Sequence, residues 1–311
     1  MGTPMARNLH RAGLLAGVWN RTHARADAFA AETAVIASES PAALAAACDT
    51  IVLCVSADAD VLEIVDRIEP ALRPGQALID CSTIASQTAR ELDARLSSRG
   101  VDFLDAPVSG GVEGARQGTL AIMCGGDAAV FERLRPVLGA MGRTVVRMGA
   151  AGAGQATKAT NQILCAGVIQ AVAQAMAFAK AEHLPLEQVI EVLRQGAGAS
   201  WYFEHRAPYM VAGHYPPGFR VALHAKDLRI CHDMAAARGL ELSVIEDVLA
   251  AYDRLIQAGS ADEDVSAIFR LQPRARGTGV PRARGPRIWH CRTSARRAVC
   301  SASRCSQCWS H

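Results

Sequence analysis

Between residues 15 and 148, six short β-like runs alternate with helical patterns. The runs lie at 15–20, 50–55, 76–80, 101–104, 119–124 and 144–148, and the helical patterns at 23–31, 41–47, 60–68, 86–98 and 128–141. Strands separated by helices pair through crossovers, so the alternation predicts a layered α/β domain with a mainly parallel sheet. Several helices open after Ser, Thr or Asp, whose side chains accept from the free N–H groups of a first turn. The pattern changes after Gly149. Residues 154–182 read as one helix, apolar on nearly every face, which other helices or a partner chain must cover. Further helical stretches follow at 186–195, 223–238 and 244–258. The expected organisation is an α/β domain over 1–151 and an all-helical domain over 152–269.

Charge separates a third segment. Residues 270–311 hold ten Arg and no Lys, Asp or Glu, so the formal net charge of +3 is a tail of +10 on a body of −7. The tail also carries Cys291, Cys300, Cys305 and Cys308. A basic nucleic-acid arm and a zinc knot on Cys305 and Cys308 are two readings, but one CxxC pair is weak grounds for a metal. The favoured reading is sequence that is not native coding, from a frame shifted near Phe269. No nucleic acid and no metal are expected as partners. The six Cys of the body lack disulfide spacing and read as free thiols in a reducing cytoplasm. The longest apolar stretch, 163–179, is interrupted by Gln170 and Gln174, so no membrane span is expected, and the first residues are too polar for a secretory signal.

Three segments carry chemistry. Gly2 opens a helix, and a strand ends about 20 residues later at Asn20-Arg21-Thr22. This is the second half of a dinucleotide fingerprint, with Gly2 as its third glycine. An NAD site usually has Asp or Glu as ribose reader; here a guanidinium stands ready for a 2′-phosphate. The plain alternative is a helix start and a surface turn. The second segment, 105–120, contains Ser109-Gly110-Gly111 and two later glycines, and such backbone can converge its N–H groups on a carboxylate. The third holds Lys158, one of only three lysines in the chain, with Asn161 and Gln162 on the same helical face. A desolvated Lys held by amides can move a proton; the alternative is a Lys reaching past its helix start to water. Lys226, beside Asp227, reads in isolation as a solvated pair.

Together the segments resemble the β-hydroxyacid dehydrogenase family. Residues 1–9 match the latter part of its GxGxMGxPMAxNL pattern. Residues 105–126 match DxPVSGGxxGAxxGTLxxMxGG, 152–162 match GxGxxxKxxN, and 224–228 contain KDL. The resemblance covers residues 1 to about 269. It implies a Rossmann-like α/β domain followed by an all-α domain. It also implies interconversion of a small 3-hydroxy acid and its semialdehyde, of the 3-hydroxyisobutyrate or 2-hydroxy-3-oxopropionate type. By the same resemblance, Lys158 is the proton donor and acceptor, Asn161 orients substrate and Lys158, and Ser109, Gly110 and Gly111 bind the substrate carboxylate. Val55, Ser56 and Thr83 line the nicotinamide half, and Lys226 closes over the cofactor. The expected cofactor is NADP(H), with NAD(H) second, and the expected assembly is a cytoplasmic homodimer or homotetramer.

Two departures are noted. The family's first strand and first two glycines do not precede Met1, which predicts an exposed sheet interior, and the family pattern gives way to the tail after about residue 268. The alternative expectation is therefore a non-catalytic, truncated and frameshifted remnant. A decarboxylating sugar-phosphate dehydrogenase fits less well, because its Lys-x-x-His-Asn pattern meets Asn161 in the His place. A member turned interaction module would lack Lys158.

Overall fold

A computed structural model describes residues 1–272; the Arg- and Cys-rich tail lies outside the described residues beyond its first three positions. The described part packs as one compact unit.

The chain opens with α1 (Gly2–Arg11), β1 (Gly17–Val18), α2 (His23–Thr33), β2 (Ile36–Ala37) and α3 (Pro41–Ala47). Then come β3 (Thr50–Leu53), α4 (Asp58–Ile68), β4 (Ala77–Asp80), α5 (Ser86–Ser97) and β5 (Asp102–Asp105). Strands β3, β4 and β5 are parallel neighbours, with Leu53 beside Asp80 and Asp80 beside Asp105. Their interiors are continuously apolar because helices cover both faces, as parallel sheets require. Leu78, Ile79 and Leu104 are fully buried.

The 105–120 segment is more ordered than a loop: it forms β6 (Val108–Ser109) and α6 (Gly111–Gln117). After it, β7 (Leu120–Gly126) runs antiparallel to β5 and β6, α7 (Ala128–Met141) follows, and β8 (Gly142–Gly149) returns parallel to β7. The sheet order is β3-β4-β5-β7-β6, with β8 also on β7, while β1 and β2 form a separate parallel pair. Strand β1 is shorter than the run at 15–20, because only two of its residues find partners on β2.

From Gly152 onward the structure is helical: α8 (Ala153–Ala181), α9 (Leu186–Leu193), α10 (Trp201–Ala212), α11 (Val221–Ala236) and α12 (Ser243–Gln257), then a 3₁₀ turn at Val265–Leu271. Helix α8 is long and apolar enough to cross a membrane by length and composition. It serves here as the axis of a helical core. Its Ala166, Ile169, Ala173 and Met176 pack with Met210 of α10, Leu228 of α11 and Tyr252 of α12. Helix α10 lies within the all-helical expectation for 152–269 but was not singled out in the sequence; Ser200 caps it by accepting from Phe203 N–H.

Candidate active site

Helix α8 is fastened to the sheet by one carboxylate. Asp105, at the end of β5, accepts from Gly152 N–H at 2.7 Å through Oδ1 and from Gln155 N–H at 2.8 Å through Oδ2. Two orphan donors at the helix start are thereby satisfied by a single side chain. Gly154 makes the close approach possible, since a Cβ there would run into Met123 O and meet Asp105 O at 2.8 Å. Gln155 adds a second tie, donating to Ser82 O at 2.9 Å and accepting from Ile84 N–H at 3.2 Å. These contacts hold the first turn of α8 against the carboxyl ends of the strands, the edge at which open α/β sheets take their ligands.

Lys158 follows one turn later and is 7% exposed. Burial pulls its pKa below the ordinary lysine value, and the negative charge of Asp227 pulls it partly back. No hydrogen bond engages its Nζ among the described residues, so the amine is free to address a ligand. Asn161 does not bond Lys158. Its Nδ2 donates to Gln162 Oε1 at 2.9 Å and to Cys165 Sγ at 3.5 Å. Gln162 Nε2 donates to Asp227 Oδ2 at 2.6 Å, and Lys226 Nζ lies 2.7 Å from Asp227 Oδ1. Lys226 Nζ also donates to Thr83 O at 2.7 Å. The pair that looked solvated in sequence is therefore a bridge, with Asp227 buried and Lys226 half-buried.

The strand ends are knitted in turn. Val55 N–H donates to Ser82 Oγ at 2.9 Å, and Ser82 N–H donates to Asp80 Oδ1 at 2.9 Å. Asp80 is fully buried, which pushes its carboxyl up to about 6. Lys158, Asn161, Thr83, Lys226 and Val55 thus belong to one neighbourhood, with Ser56 exposed just beyond Val55. Gly2 sits at the start of α1 against Cys54, next to Val55, and a Cβ there would stand 3.9 Å from that of Cys54. The first turn of α1 has no side-chain cap, so its N–H groups are open to an anion.

The turn after β1 stands apart from this network. Asn20 Oδ1 accepts from Thr22 N–H at 2.9 Å, and Arg21 is 73% exposed with Nη1 3.2 Å from Asp60. Ser109, Gly110 and Gly111 end β6 and begin α6. Both glycines have positive φ, +127° and +63°, a backbone conformation that L side chains rarely adopt. Sequence reasoning missed Asp105 and Gln155, and it read Gln162 and Asp227 only as neighbours of lysines. Their signal was positional: one opens the glycine-rich segment and the others flank Lys158 and Lys226. Among the described residues no cluster of His, Cys, Asp and Glu could hold a metal.

A buried amine that no hydrogen bond engages among the described residues can pass a proton to a substrate oxygen, and glycine-rich backbone such as that at 109–111 can hold a carboxylate. The uncapped start of α1 lies beside Cys54 at the end of β3, where its N–H groups can meet an anion.

Comparison with known proteins is consistent along the chain. Residues 1–149 match the model of the NAD binding domain of 6-phosphogluconate dehydrogenase. Residues 152–272 match that of the NAD-binding domain of NADP-dependent 3-hydroxyisobutyrate dehydrogenase. An uncharacterised oxidoreductase of Shewanella frigidimarina is 39% identical over 88% of this chain and 95% of its own length. The NAD-dependent L-serine dehydrogenase of Pseudomonas aeruginosa is 34% identical over 87% and 94%. The structure of 3-hydroxyisobutyrate dehydrogenase from Mycobacterium tuberculosis with L-serine superposes with a TM-score of 0.80 at 33% identity, covering 88% of this chain and 96% of that one.

Proposed function

The chain belongs to the β-hydroxyacid dehydrogenase family, NAD(P)-dependent oxidoreductases that act on hydroxyl groups, and on that premise we propose that it interconverts a small 3-hydroxy acid and its semialdehyde. The nicotinamide, when bound, supplies or takes the hydride. In reduction Lys158 gives a proton to the carbonyl oxygen; in oxidation it takes the proton from the hydroxyl. Ser109, Gly110 and Gly111 hold the substrate carboxylate, and Asn161 orients the reacting end. Gly2, Asn20, Arg21, Thr22, Val55, Ser56, Thr83 and Lys226 form the dinucleotide side. Residues 1–151 form the cofactor-binding domain, which also lends Ser109, Gly110 and Gly111 to the substrate, and 152–269 the substrate and dimerisation domain, in a cytoplasmic homodimer or homotetramer. The observation that carries this reading is Lys158 itself, 7% exposed and without a hydrogen bond among the described residues, on a helix fixed to the strand ends. A panel of small semialdehydes and 3-hydroxy acids, assayed with both cofactors, tests it. Turnover of at least one carboxylate-bearing semialdehyde is expected, and none across the panel would refute the reading.

NADP(H) is the proposed preference, supported by the absence of an acidic side chain at Asn20-Arg21-Thr22 and by the exposed Arg21. Arg21→Asp should move the ratio of kcat/KM toward NADH. A wild type that already prefers NADH, or a variant that keeps the NADPH preference, would contradict it.

A further inference from the structure

Gln162 stands between two groups that the proposed reaction uses separately. Its side chain is 1% exposed. At one end Oε1 accepts from Asn161 Nδ2, and at the other Nε2 donates to Asp227 Oδ2. Asp227 Oδ1 receives Lys226 Nζ, which reaches Thr83 O on the loop after β4. The backbone of Gln162 is held as well: its carbonyl lies 3.4 Å from His224 Nε2, while His224 Nδ1 is 2.9 Å from the Tyr252 hydroxyl. The result is a continuous line of donors and acceptors, Asn161–Gln162–Asp227–Lys226–Thr83. It runs from α8 across α11 to the end of the sheet. A carboxamide can accept at one end and donate at the other; a carboxylate or an apolar side chain cannot.

We propose that Gln162 is a positioning residue that couples the two halves of the site. A cofactor seated against Thr83 and Lys226 fixes Asp227, Asp227 fixes Gln162, and Gln162 fixes the Asn161 amide that meets the substrate. The cofactor therefore tightens hydroxy-acid binding, and the hydroxy acid tightens cofactor binding by the same factor, as linkage requires. The proposal rests on the reading of the site given under the preceding heading.

The test is calorimetric titration of 3-hydroxyisobutyrate, with glycerate in parallel, into the full chain with and without saturating NADPH, and again with NADH. Alcohol and reduced cofactor are a dead-end pair, so no turnover intrudes. For the wild type the Kd of the hydroxy acid should fall roughly 5- to 150-fold when cofactor is present. Gln162→Met keeps the length but removes both bonds, and should bring that ratio to about one while each separate Kd moves less. Gln162→Glu keeps the acceptor for Asn161 but sets a carboxylate against Asp227. Lys158, Lys226, His224, Cys165 and Cys231 are the other titratable groups around the position. In that variant coupling should be lost at neutral pH and return at acidic pH, where the introduced carboxyl is protonated and donates. A purely structural role would not give this pH-dependent return. Coupling that persists in the variants, or a wild type that binds both ligands without coupling, would overturn the proposal. A wild type that binds neither ligand would overturn the reading of the site, and the coupling with it.

Discussion

Lys158 carries two opposed influences: burial disfavours its charge and Asp227 favours it. In the oxidation direction the amine must be neutral to accept a proton, so kcat rises with pH through its pKa. That limb is expected below the value near 10.4 of a free lysine. Asp227→Asn removes the negative neighbour and should move the limb to still lower pH, since less then opposes the desolvation. A pH–rate profile of both proteins checks the sign; a limb that moves upward would mean that Asp227 does not face the Lys158 charge. The neighbouring His224 does not confuse the reading, because burial lowers it to about 4.

At the scale of elements, the site depends on how closely α8 lies on the sheet. Gly154→Ala places a methyl group against Met123 O and the Asp105 backbone. Overpacking of this kind costs roughly 1–3 kcal/mol. It also lifts the turn that carries Lys158, so both Tm and kcat should fall. A variant with unchanged melting and turnover would show that the approach is looser than described. The strand–helix alternation and the start of α8 were legible in the sequence, because hydrophobic period and glycine placement are local signals. The roles of Asp105, Gln155 and Gln162 were not. Each is decided by a partner dozens of positions away, such as Asp105 meeting Gln155 across 50 residues, and no local pattern encodes that. Strand β1 was overread because only tertiary pairing sets its length.

For the whole molecule, the surface of the helical part is unusually apolar at a few points. Leu164, Phe178 and Val192 are 64%, 65% and 69% exposed. They lie on α8 and α9. If the proposed homo-oligomer buries Phe178, Phe178→Asp should shift the mass seen by light scattering toward the single chain while the far-UV spectrum is kept. An unchanged oligomer would move the interface elsewhere. The anchored helix and the strand ends frame one buried amine. The most direct measurement is turnover of the best semialdehyde by Lys158→Ala, together with the Kd of the reduced cofactor. The expected result is a kcat lower by roughly 10²- to 10⁴-fold with cofactor affinity largely kept; a variant that turns over like the wild type would contradict the assignment of the proton to Lys158.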